Sequence, residues 1–368
     1  MRKLYIHQQP DWPRLDWRPE ELTNRLARVR HLQGHLLGRM ESLGFSLRQE
    51  AVLHTLTSDV VKSSEIEGEI LAAEEVRSSI AWRLGFDIGG VPSADRNVEG
   101  IVELMLDATQ NYAEPLTDER LFGWHAALFP TGRSGTYGIT VGSYRTDIAR
   151  VVSGPMGRQK IHFEAPPAEL VPGDMTAFLD WFNEQSDVDA VLKAGLAHLW
   201  FVTIHPFDDG NGRIARAIAD MALARSDNSS QRFYSMSSQI RKERKAYYDV
   251  LERTQKKARD VTDWMSWFVD CLGRAVESAE ATLDATLAKG RFWVRIAEVP
   301  VNDRQRKVLN LLLGDFKGNL TTSKWAKLTK CSTDTALRDI TELMECGILA
   351  RSPEGGRSTN YSLVIDQC

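Results

Sequence analysis

Residues 205–216 read HPFDDGNGRIAR and combine one histidine, two aspartates, two glycines and two arginines within twelve positions. The segment before them, residues 190–204 (AVLKAGLAHLWFVTI), is apolar on nearly every face, which is typical of a helix that is buried all round. Residues 214–225 are rich in alanine, which favours a second helix. The sequence therefore predicts a short polar loop between two buried helices, with residues 210–212 (GNG) at the start of the second.

The residue types of this loop suit a bound polyphosphate. The first N–H groups of a helix have no partner within the helix, and the helix dipole favours an anion beside them. Gly210 and Gly212 allow the backbone to form a concave nest close to phosphate oxygens. Arg213 and Arg216 are three positions apart, so both can project toward one ligand. Their planar guanidinium groups can each donate several hydrogen bonds to phosphate.

Two further groups of the loop have chemistry of their own. Asp209 offers the oxygen ligands that Mg²⁺ prefers, and His205 titrates near neutral pH and is the natural general base. Two alternatives stay open: a histidine beside a proline can be a core residue, and Asp208 and Asp209 can cap the helix that follows. A zinc site is disfavoured, because His198 and His205 are seven positions apart and no HExxH pattern is present.

Taken together, the segment resembles the signature of the Fic family, HxFx(D/E)GNGRxxR. The resemblance implies a mainly α Fic-fold helical bundle with a β-hairpin flap. It also implies an enzyme that transfers AMP from ATP, with Mg²⁺, to a Tyr, Thr or Ser hydroxyl of a target protein and releases pyrophosphate. Self-modification and removal of AMP are further activities that the resemblance suggests. The matching positions are His205, Phe207, Asp209, Gly210, Asn211, Gly212, Arg213 and Arg216.

The resemblance assigns a role to each matching side chain. In these roles His205 deprotonates the target hydroxyl, Asp209 holds the magnesium ion, and Asn211 and the loop amides of Gly210 and Gly212 bind the α- and β-phosphates. Arg213 would then contact the β-phosphate, Arg216 the γ-phosphate, and Phe207 would anchor the loop in the core.

A second motif lies upstream, in residues 61–70 (VKSSEIEGEI). Ser63, Glu67 and Gly68 fit the inhibitory pattern [S/T]xxxE[G/N] of Fic proteins. The resemblance implies that Glu67 pairs with Arg216, occupies the γ-phosphate position and holds ATP in an unproductive pose. In the removal of AMP, the same glutamate would help to activate water.

The residues around this motif have helical apolar spacing, roughly over residues 47–66. Ser63 and Glu67 are four positions apart and so share a helix face. Spacing alone leaves an alternative, because Ser64-x-x-Glu67 is also a capping box, which would start a helix at this point.

Residues 140–167 differ in composition from the helical segments. Val151, Val152 and Ile161 are β-formers on either side of a turn at residues 153–157 (SGPMG), which predicts a β-hairpin. The resemblance implies that this hairpin is a flap that binds the target protein by strand addition. A surface hairpin without a ligand is the alternative.

Residues 237–251 resemble the helix that borders the adenine pocket in the family. Tyr247 and Tyr248 are the candidates for contact with the base. Adjacent residues point to different faces of a helix, so only one of them is expected to touch adenine. A place in the core is the alternative for either tyrosine.

Three domains are expected: an N-terminal helical domain over residues 1–114 that carries the inhibitory helix, a Fic catalytic core over residues 115–290, and a winged helix-turn-helix domain over residues 296–368. Gly290 is expected to end the last helix of the core. In the third domain we expect helices over residues 303–313, 322–328 and 333–345, and a strand on either side of a turn at residues 355–357.

The third of these helices, in the recognition position, contains Asp334, Asp339, Glu342 and Glu345 against Arg338 alone. Binding to DNA phosphates requires the opposite charge, so DNA binding is not expected and a protein-docking or homodimer role is preferred. The alternative function is a transcriptional regulator with a Fic sensor core and a DNA-binding output.

Composition agrees with an intracellular enzyme. The 368 residues have a formal net charge of −4 and a pI near 6.1, which gives no general attraction to nucleic acid or anionic membrane. The four cysteines are scattered, as expected of free thiols in a reducing cytoplasm. The N-terminal residues lack the apolar run of a signal peptide, and no stretch reaches the length of about 18 apolar residues that a membrane span requires.

Overall fold

The computed structural model describes residues 5–86, 95–154, 158–257, 259–313, 316, 318–351 and 359–364. In these residues the fold is mainly α, with fourteen α-helices and three antiparallel strand pairs, which confirms the predicted class. None of these helices is both long and apolar enough to cross a membrane. The chain forms two compact units, Met1–Ala279 and Glu280–Cys368.

The first unit contains ten complete helices, the start of an eleventh and two strand pairs among its described residues. The helices are α1 (Pro19–Glu41), α2 (Phe45–Glu67), α3 (Ala73–Arg83), α4 (Arg96–Gln110), α5 (Asp118–Leu128), α6 (Val171–Asn183), α7 (Ala190–Ile204), α8 (Asn211–Asp227), α9 (Met236–Lys242), α10 (Arg244–Gln255) and α11 (Thr262–Arg295). The strands are β1 (Arg133–Ser134) with β2 (Tyr137–Gly138), and β3 (Arg150–Ser153) with β4 (Lys160–Glu164).

Helices α7 and α8 form the centre of this unit, as the sequence predicts. Thirteen of the fifteen residues of α7 are buried, and α8 packs along it through small side chains such as Ala215 and Ala219. Gly195 of α7 lets α11 approach closely, because a Cβ there would lie 2.9 Å from the ring of Phe268. Trp264 also donates a hydrogen bond to the Gly195 carbonyl oxygen over 2.8 Å. The polar loop at residues 205–210 is therefore held at both ends by buried helices.

Helix α2 ends, rather than begins, at the second motif. Glu67 is its last residue, and Gly68 follows in the left-handed conformation with φ 92°. The N–H groups of Gly68 and Glu69 donate back to the carbonyl oxygens of Glu65 and Ser64 over 3.2 and 3.0 Å, the pattern of a glycine-terminated helix. The capping-box interpretation of Ser64 and Glu67 is therefore wrong.

Gly290 does not end α11, which continues to Arg295. The side chains of Phe292 and Ile296, just beyond the glycine, are buried in the core of the second unit. Their burial outweighs the cost of a glycine inside a helix, about 1 kcal/mol. The predicted domain boundaries at residues 114 and 290 remain interpretations of the sequence.

The second unit has a small core around Trp325, Ile340 and other apolar side chains. Its elements are α12 (Asp303–Leu312), α13 (Thr322–Thr329), α14 (Thr333–Glu345), β5 (Leu349–Arg351) and β6 (Tyr361–Leu363), with β5 and β6 paired antiparallel. The expected turn at residues 355–357 lies outside the described residues, and the winged helix-turn-helix assignment stays a prediction.

One acidic residue of α14 is not on the surface. Asp339 is buried and accepts hydrogen bonds from Nε and Nη2 of Arg304, both over 2.8 Å. It therefore contributes to the internal packing of α12 against α14. Asp334, Glu342 and Glu345 remain exposed, so the acidic excess on this helix is smaller than the sequence count implies.

Candidate active site

His205 lies at the point where α7 ends. Its backbone is left-handed, with φ 53° and ψ 59°, and its N–H donates to the Phe201 carbonyl oxygen over 2.9 Å. Burial lowers the pKa of His205 to about 4, so the imidazole is neutral at pH 7. Nδ1 lies 3.4 Å from the Val202 carbonyl oxygen, which favours a proton on Nδ1 and leaves Nε2 as an acceptor.

The loop after His205 is stabilised by its own asparagine. Asn211 is buried, accepts a hydrogen bond from the Phe207 N–H over 3.0 Å and donates one to the Phe207 carbonyl oxygen over 2.8 Å. The side-chain amide of Asn211 thus closes the loop and holds Phe207, which is buried as expected.

His125 of α5 supports the same loop, although no sequence motif marks it. Its ring stacks on Phe207 with centroids 4.2 Å apart. The Gly142 N–H donates to Nδ1 of His125, so Nε2 carries the proton and donates to the Asp209 carbonyl oxygen, both over 3.2 Å. Burial lowers the pKa of His125 to about 4, which keeps this ring neutral as the arrangement requires.

Arg145 is a second residue that the sequence does not reveal. It is buried, and its guanidinium donates to the carbonyl oxygens of His205 over 2.8 Å, Asp147 over 2.6 Å and Pro166 over 2.6 Å. Its N–H donates to the Pro206 carbonyl oxygen over 2.9 Å. Arg145 therefore fixes the backbone of the histidine turn to the segment that carries the hairpin.

Asp209 lies half-buried beside the start of α8. One of its carboxylate oxygens accepts from the Gly210 N–H over 2.6 Å, and the other accepts from the Ser134 hydroxyl. Gly210 is the residue that caps α8, without a side-chain hydrogen bond, so the aspartates do not cap that helix. Gly210 itself has φ 80°, and a Cβ there would lie 2.9 Å from the Phe129 ring, so glycine is required.

Asp209 offers one carboxylate to a magnesium ion at the start of α8. In the described residues there is no group of three or more His, Cys, Asp or Glu side chains that could hold a metal. Mg²⁺ commonly binds through one or two carboxylates together with water and substrate phosphates, so the single carboxylate fits an ion that arrives with a polyphosphate.

Arg216 contacts the end of α2, as the family resemblance implies. Only 2% of its surface is exposed. Nη1 donates to Oε1 of Glu67 over 2.8 Å, Nε donates to the Ser63 hydroxyl over 2.9 Å, and Nη2 donates to the Ser63 carbonyl oxygen over 3.0 Å. Burial by itself would lower the pKa of Arg216. The negative charge of Glu67 acts in the opposite direction, and the net result is a raised pKa. Three hydrogen bonds thus join the guanidinium of Arg216 to one segment of α2.

The carboxylate of Glu67 also touches the first turn of α8. A Cβ at Gly212 would lie 2.2 Å from Oε1 of Glu67, so only glycine leaves space for this carboxylate. The position beside the first N–H groups of a helix is where an anion is stabilised. Glu67 therefore occupies an anion position at the start of α8.

Arg213 makes a separate ion pair. Its Nη1 donates to Oε2 of Glu69 over 2.6 Å, and its guanidinium lies 5.1 Å from the centre of the Phe129 ring. Arg213 is 5% exposed, and its Nε has no hydrogen-bond partner among the described residues. Glu69 was not identified from the sequence, because it follows the inhibitory pattern rather than belonging to it.

The two tyrosines of α10 have different environments. Tyr247 is buried, with its hydroxyl 2.9 Å from Nε2 of His198. Tyr248 is partly exposed and lies under the guanidinium of Arg244, 5.2 Å from the ring centre. Tyr247 is thus part of the core, and Tyr248 is the tyrosine that a ligand can reach.

The predicted hairpin is formed by β3 and β4, with Val151 opposite Phe163 and Val152 opposite Ile161, and with a bulge between the two valines. The strand residues Val151, Val152 and Ile161 are 36%, 38% and 46% exposed, whereas Phe163 is buried. Residues 155–157 of the expected turn lie outside the described residues. The hairpin is thus anchored by Phe163 and leaves the side chains of Val151, Val152 and Ile161 partly exposed.

Comparison with known proteins agrees with this arrangement. Residues 115–223 match the Fic/DOC family, and residues 5–86 match a domain of unknown function, DUF4172. The protein adenylyltransferase fic-1 of Caenorhabditis elegans is 38% identical over 60 residues, 16% of this chain and 12% of that protein. A uridine 5'-monophosphate transferase of Xanthomonas campestris is 31% identical over 119 residues, 30% of this chain and 21% of that protein. The aligned segments thus span less than a quarter of either relative.

The fold as a whole is also found among solved structures. The crystal structure of a Fic family protein from Desulfovibrio desulfuricans G20 superimposes with a TM-score of 0.55 and 22% sequence identity, and it covers 98% of this chain and 99% of that one. At this identity the likeness establishes the fold. Residues 115–223 therefore form a domain of the Fic/DOC family.

Proposed function

We propose that this protein transfers AMP from ATP to a hydroxyl side chain of a target protein, and that Glu67 restrains the reaction. One observation carries the proposal: the buried Arg216 pairs with Glu67 at the first turn of α8, and Glu67 is close enough to His205 to interact with it electrostatically. A helix N-terminus, two arginines and a neutral imidazole converge there. These are the groups that positioning and charge neutralisation of a phosphate chain require.

In the proposed reaction Nε2 of His205 accepts the proton of the target hydroxyl. The hydroxyl oxygen then forms a bond to the α-phosphorus, the bond from that phosphorus to the bridging oxygen breaks, and pyrophosphate leaves. The N–H groups at the start of α8, together with Arg213, stabilise the phosphate chain. The unpartnered Nε of Arg213 supports this assignment, since buried donors normally have a partner.

Asp209 is the side chain that would hold Mg²⁺, and the ion would neutralise charge on the phosphates. Its two present partners, the Gly210 N–H and the Ser134 hydroxyl, keep the carboxylate oriented toward the start of α8. We assign the contact with the base to Tyr248, because Tyr247 is buried against His198. ATP is preferred as donor because the signature is unaltered.

The β3–β4 hairpin is the proposed docking site of the target protein. Val151, Val152 and Ile161 are exposed there, and a strand pair can accept a further strand along its edge. We also propose a cytoplasmic location, supported by the free thiols of Cys271 and Cys331.

Glu67 would inhibit by occupying the place of a terminal phosphate. Its carboxylate and the γ-phosphate are both anions that require Arg216, so only one can hold that arginine. ATP then has to bind with its terminal phosphate displaced, which moves the α-phosphorus out of line with the attacking hydroxyl. A coupling of this kind is typically about 1–3 kcal/mol, or about 5–150-fold.

The test uses α-labelled ATP and Mg²⁺ with the wild type and with Glu67→Gly. We expect Glu67→Gly to label itself or a protein in a cell lysate about 5–150-fold faster than the wild type. Adding His205→Asn to Glu67→Gly should lower the rate by about 10²–10⁴-fold, since the general base is lost. Asparagine is chosen because it accepts the left-handed backbone of residue 205. Absence of nucleotide binding by Glu67→Gly in calorimetry would refute the proposal.

A further inference from the structure

Two glutamates, one on either side of Gly68, hold the two arginines of the Fic signature. Glu67 pairs with Arg216 over 2.8 Å, and Glu69 pairs with Arg213 over 2.6 Å. The first pair matches the inhibitory pattern, whereas the second involves a residue beyond it. The same short turn thus neutralises both cations that would face a phosphate chain.

The backbone explains why both carboxylates point to α8. Gly68 has φ 92°, which reverses the chain direction immediately after α2. The N–H of Glu69 donates to the Ser64 carbonyl oxygen over 3.0 Å, so this residue is fixed to the helix end rather than to a free loop. A residue with a Cβ at position 68 would be strained in this conformation.

The burial of Arg213 makes its ion pair with Glu69 important for ligand binding. The guanidinium is 5% exposed and its Nε has no hydrogen-bond partner in the described part of the chain. Glu69 forms the ion pair with Arg213, and the side chain of Glu69 is 50% exposed. Glu69 can therefore move into solvent at low cost, whereas Arg213 cannot. A ligand that supplies phosphate oxygens at this point has only to displace Glu69.

We infer that Glu69 controls access to the β-phosphate position, separately from the control that Glu67 exerts at the γ-phosphate position. The inference rests on the proposed function, in which Arg213 faces the β-phosphate. It follows that Glu69 weakens the binding of nucleoside diphosphates and triphosphates alike. Glu67 weakens the productive binding of triphosphates only, and neither residue affects a monophosphate.

The experiment measures the affinity of AMP, ADP and a non-hydrolysable ATP analogue, with Mg²⁺, by titration calorimetry. The variants are Glu69→Gln, Glu67→Gln and the double variant, each of which removes one negative charge per site without changing side-chain size. We expect Glu69→Gln to tighten ADP binding about 5–150-fold, the range typical of coupled sites. Glu67→Gln should leave ADP affinity within about twofold of the wild type and tighten the ATP analogue. AMP affinity should not change in any variant.

Glu65→Gln is the matched control. Glu65 lies on the same helix end and pairs with Lys62 and Arg241, so its replacement removes an equal charge without touching Arg213 or Arg216. If Glu69→Gln binds ADP no better than Glu65→Gln while Glu67→Gln responds to the ATP analogue, the inference is overturned and the proposed function stands. If no variant binds any of the three nucleotides, the proposed function fails and the inference fails with it. Thermal unfolding of each variant confirms that the fold is retained.

Discussion

A single side chain, His205, combines a left-handed backbone with an imidazole that burial keeps neutral. Neutrality at physiological pH means that the ring can accept a proton without first losing one. Both properties arise from the surroundings of the residue and not from its identity alone.

The pH dependence of transfer should reflect this burial. The pKa of His205 is lowered to about 4, so protonation of this ring should not change kcat/KM of Glu67→Gly between about pH 8 and pH 6. We expect kcat/KM to fall near pH 4, where the ring is protonated. The Glu67 carboxylate acts to raise the pKa of His205, so its removal moves the fall to lower pH, not higher. An inflection near the ordinary histidine value of about 6.5 would contradict this account.

Arg145 should be a positioning residue for His205. Its guanidinium donates to four carbonyl oxygens, including that of His205, and Arg145→Met leaves buried acceptors without a donor. Each unsatisfied group costs about 1–3 kcal/mol, so we expect a clear loss of stability in urea unfolding. In the Glu67→Gly background, kcat should fall while the KM for ATP changes little. Arg145→Lys should recover part of the loss, and equal kcat with and without Arg145 would disprove this role.

In the proposed inhibition, the last turn of α2 and the two residues directly after it act as a unit, because they carry the contacts with Arg213 and Arg216. Ser63 and Glu67 share one face, Gly68 ends the helix, and Glu69 follows on the reversed chain. The helix itself is fixed by buried apolar residues such as Leu53, Leu56 and Val60. The position of the carboxylates therefore depends on the docking of α2 and on the conformation of one glycine.

Gly68→Ala tests the second of these conditions. Placing alanine in the left-handed conformation costs about 1–2 kcal/mol, which corresponds to about 5–30-fold in the population of the inhibited arrangement. We expect basal transfer to rise by up to this factor. Gly44→Ala is the control, since Gly44 precedes the same helix with φ −60° and has open space around it. Equal rates for the two variants would show that the glycine turn does not set the inhibition.

Across the first unit, α2 is joined to α8 by a buried cluster of charged groups. Asp59 of α2 is 1% exposed and lies with Asp220 of α8 and with Arg232, which donates to Asp220 over 2.9 Å. Asp227 adds a third carboxylate, 3.6 Å from Arg232. Burial, and then the charge of Asp220, raise the pKa of Asp59. One arginine thus faces three carboxylates, and the cluster retains a proton that unfolded carboxyl groups would release.

Asp59→Asn should reduce the loss of stability at high pH. Because the pKa of Asp59 is raised in the folded state, the folded protein binds more protons than the unfolded chain once pH exceeds about 4. Its stability then falls as pH rises, by at most about 1.4 kcal/mol per pH unit for one group. Urea unfolding at several pH values between about 5 and 8 should show a smaller decrease for Asp59→Asn than for the wild type.

Asp249→Asn is the control for this measurement. Asp249 forms a surface pair with Lys245, and its removal should change stability by less than about 0.5 kcal/mol at any of these pH values. The raised pKa of Asp220 and Asp227 leaves some pH dependence in Asp59→Asn. Identical pH dependence in Asp59→Asn and the wild type would show that Asp59 does not hold the proton.

Local patterns were enough to locate the central helices, the loop between them and the hairpin, because each of these is recorded in a short stretch of sequence as an apolar periodicity or a turn. The Glu67–Arg216 pair joins residues 149 positions apart and was expected only from the family resemblance. The end of α11 and the orientation of Asp339 were misjudged. In both cases tertiary packing outweighed the local signal. Burial of Phe292 and Ile296 extends α11, and the hydrogen bonds from Arg304 hold Asp339 in the interior.

His125, Arg145 and Glu69 show the limit of such reasoning, because none of them belongs to a motif. Their roles come from contacts with residues far away in the chain, such as Glu69 with Arg213, 144 positions apart. Amino-acid order specifies which donors, acceptors and turns are available within a few residues. The packing of α2, α5 and the hairpin segment around α7 and α8 decides which of these groups come into contact, because hydrogen bonds and ion pairs act only at short range.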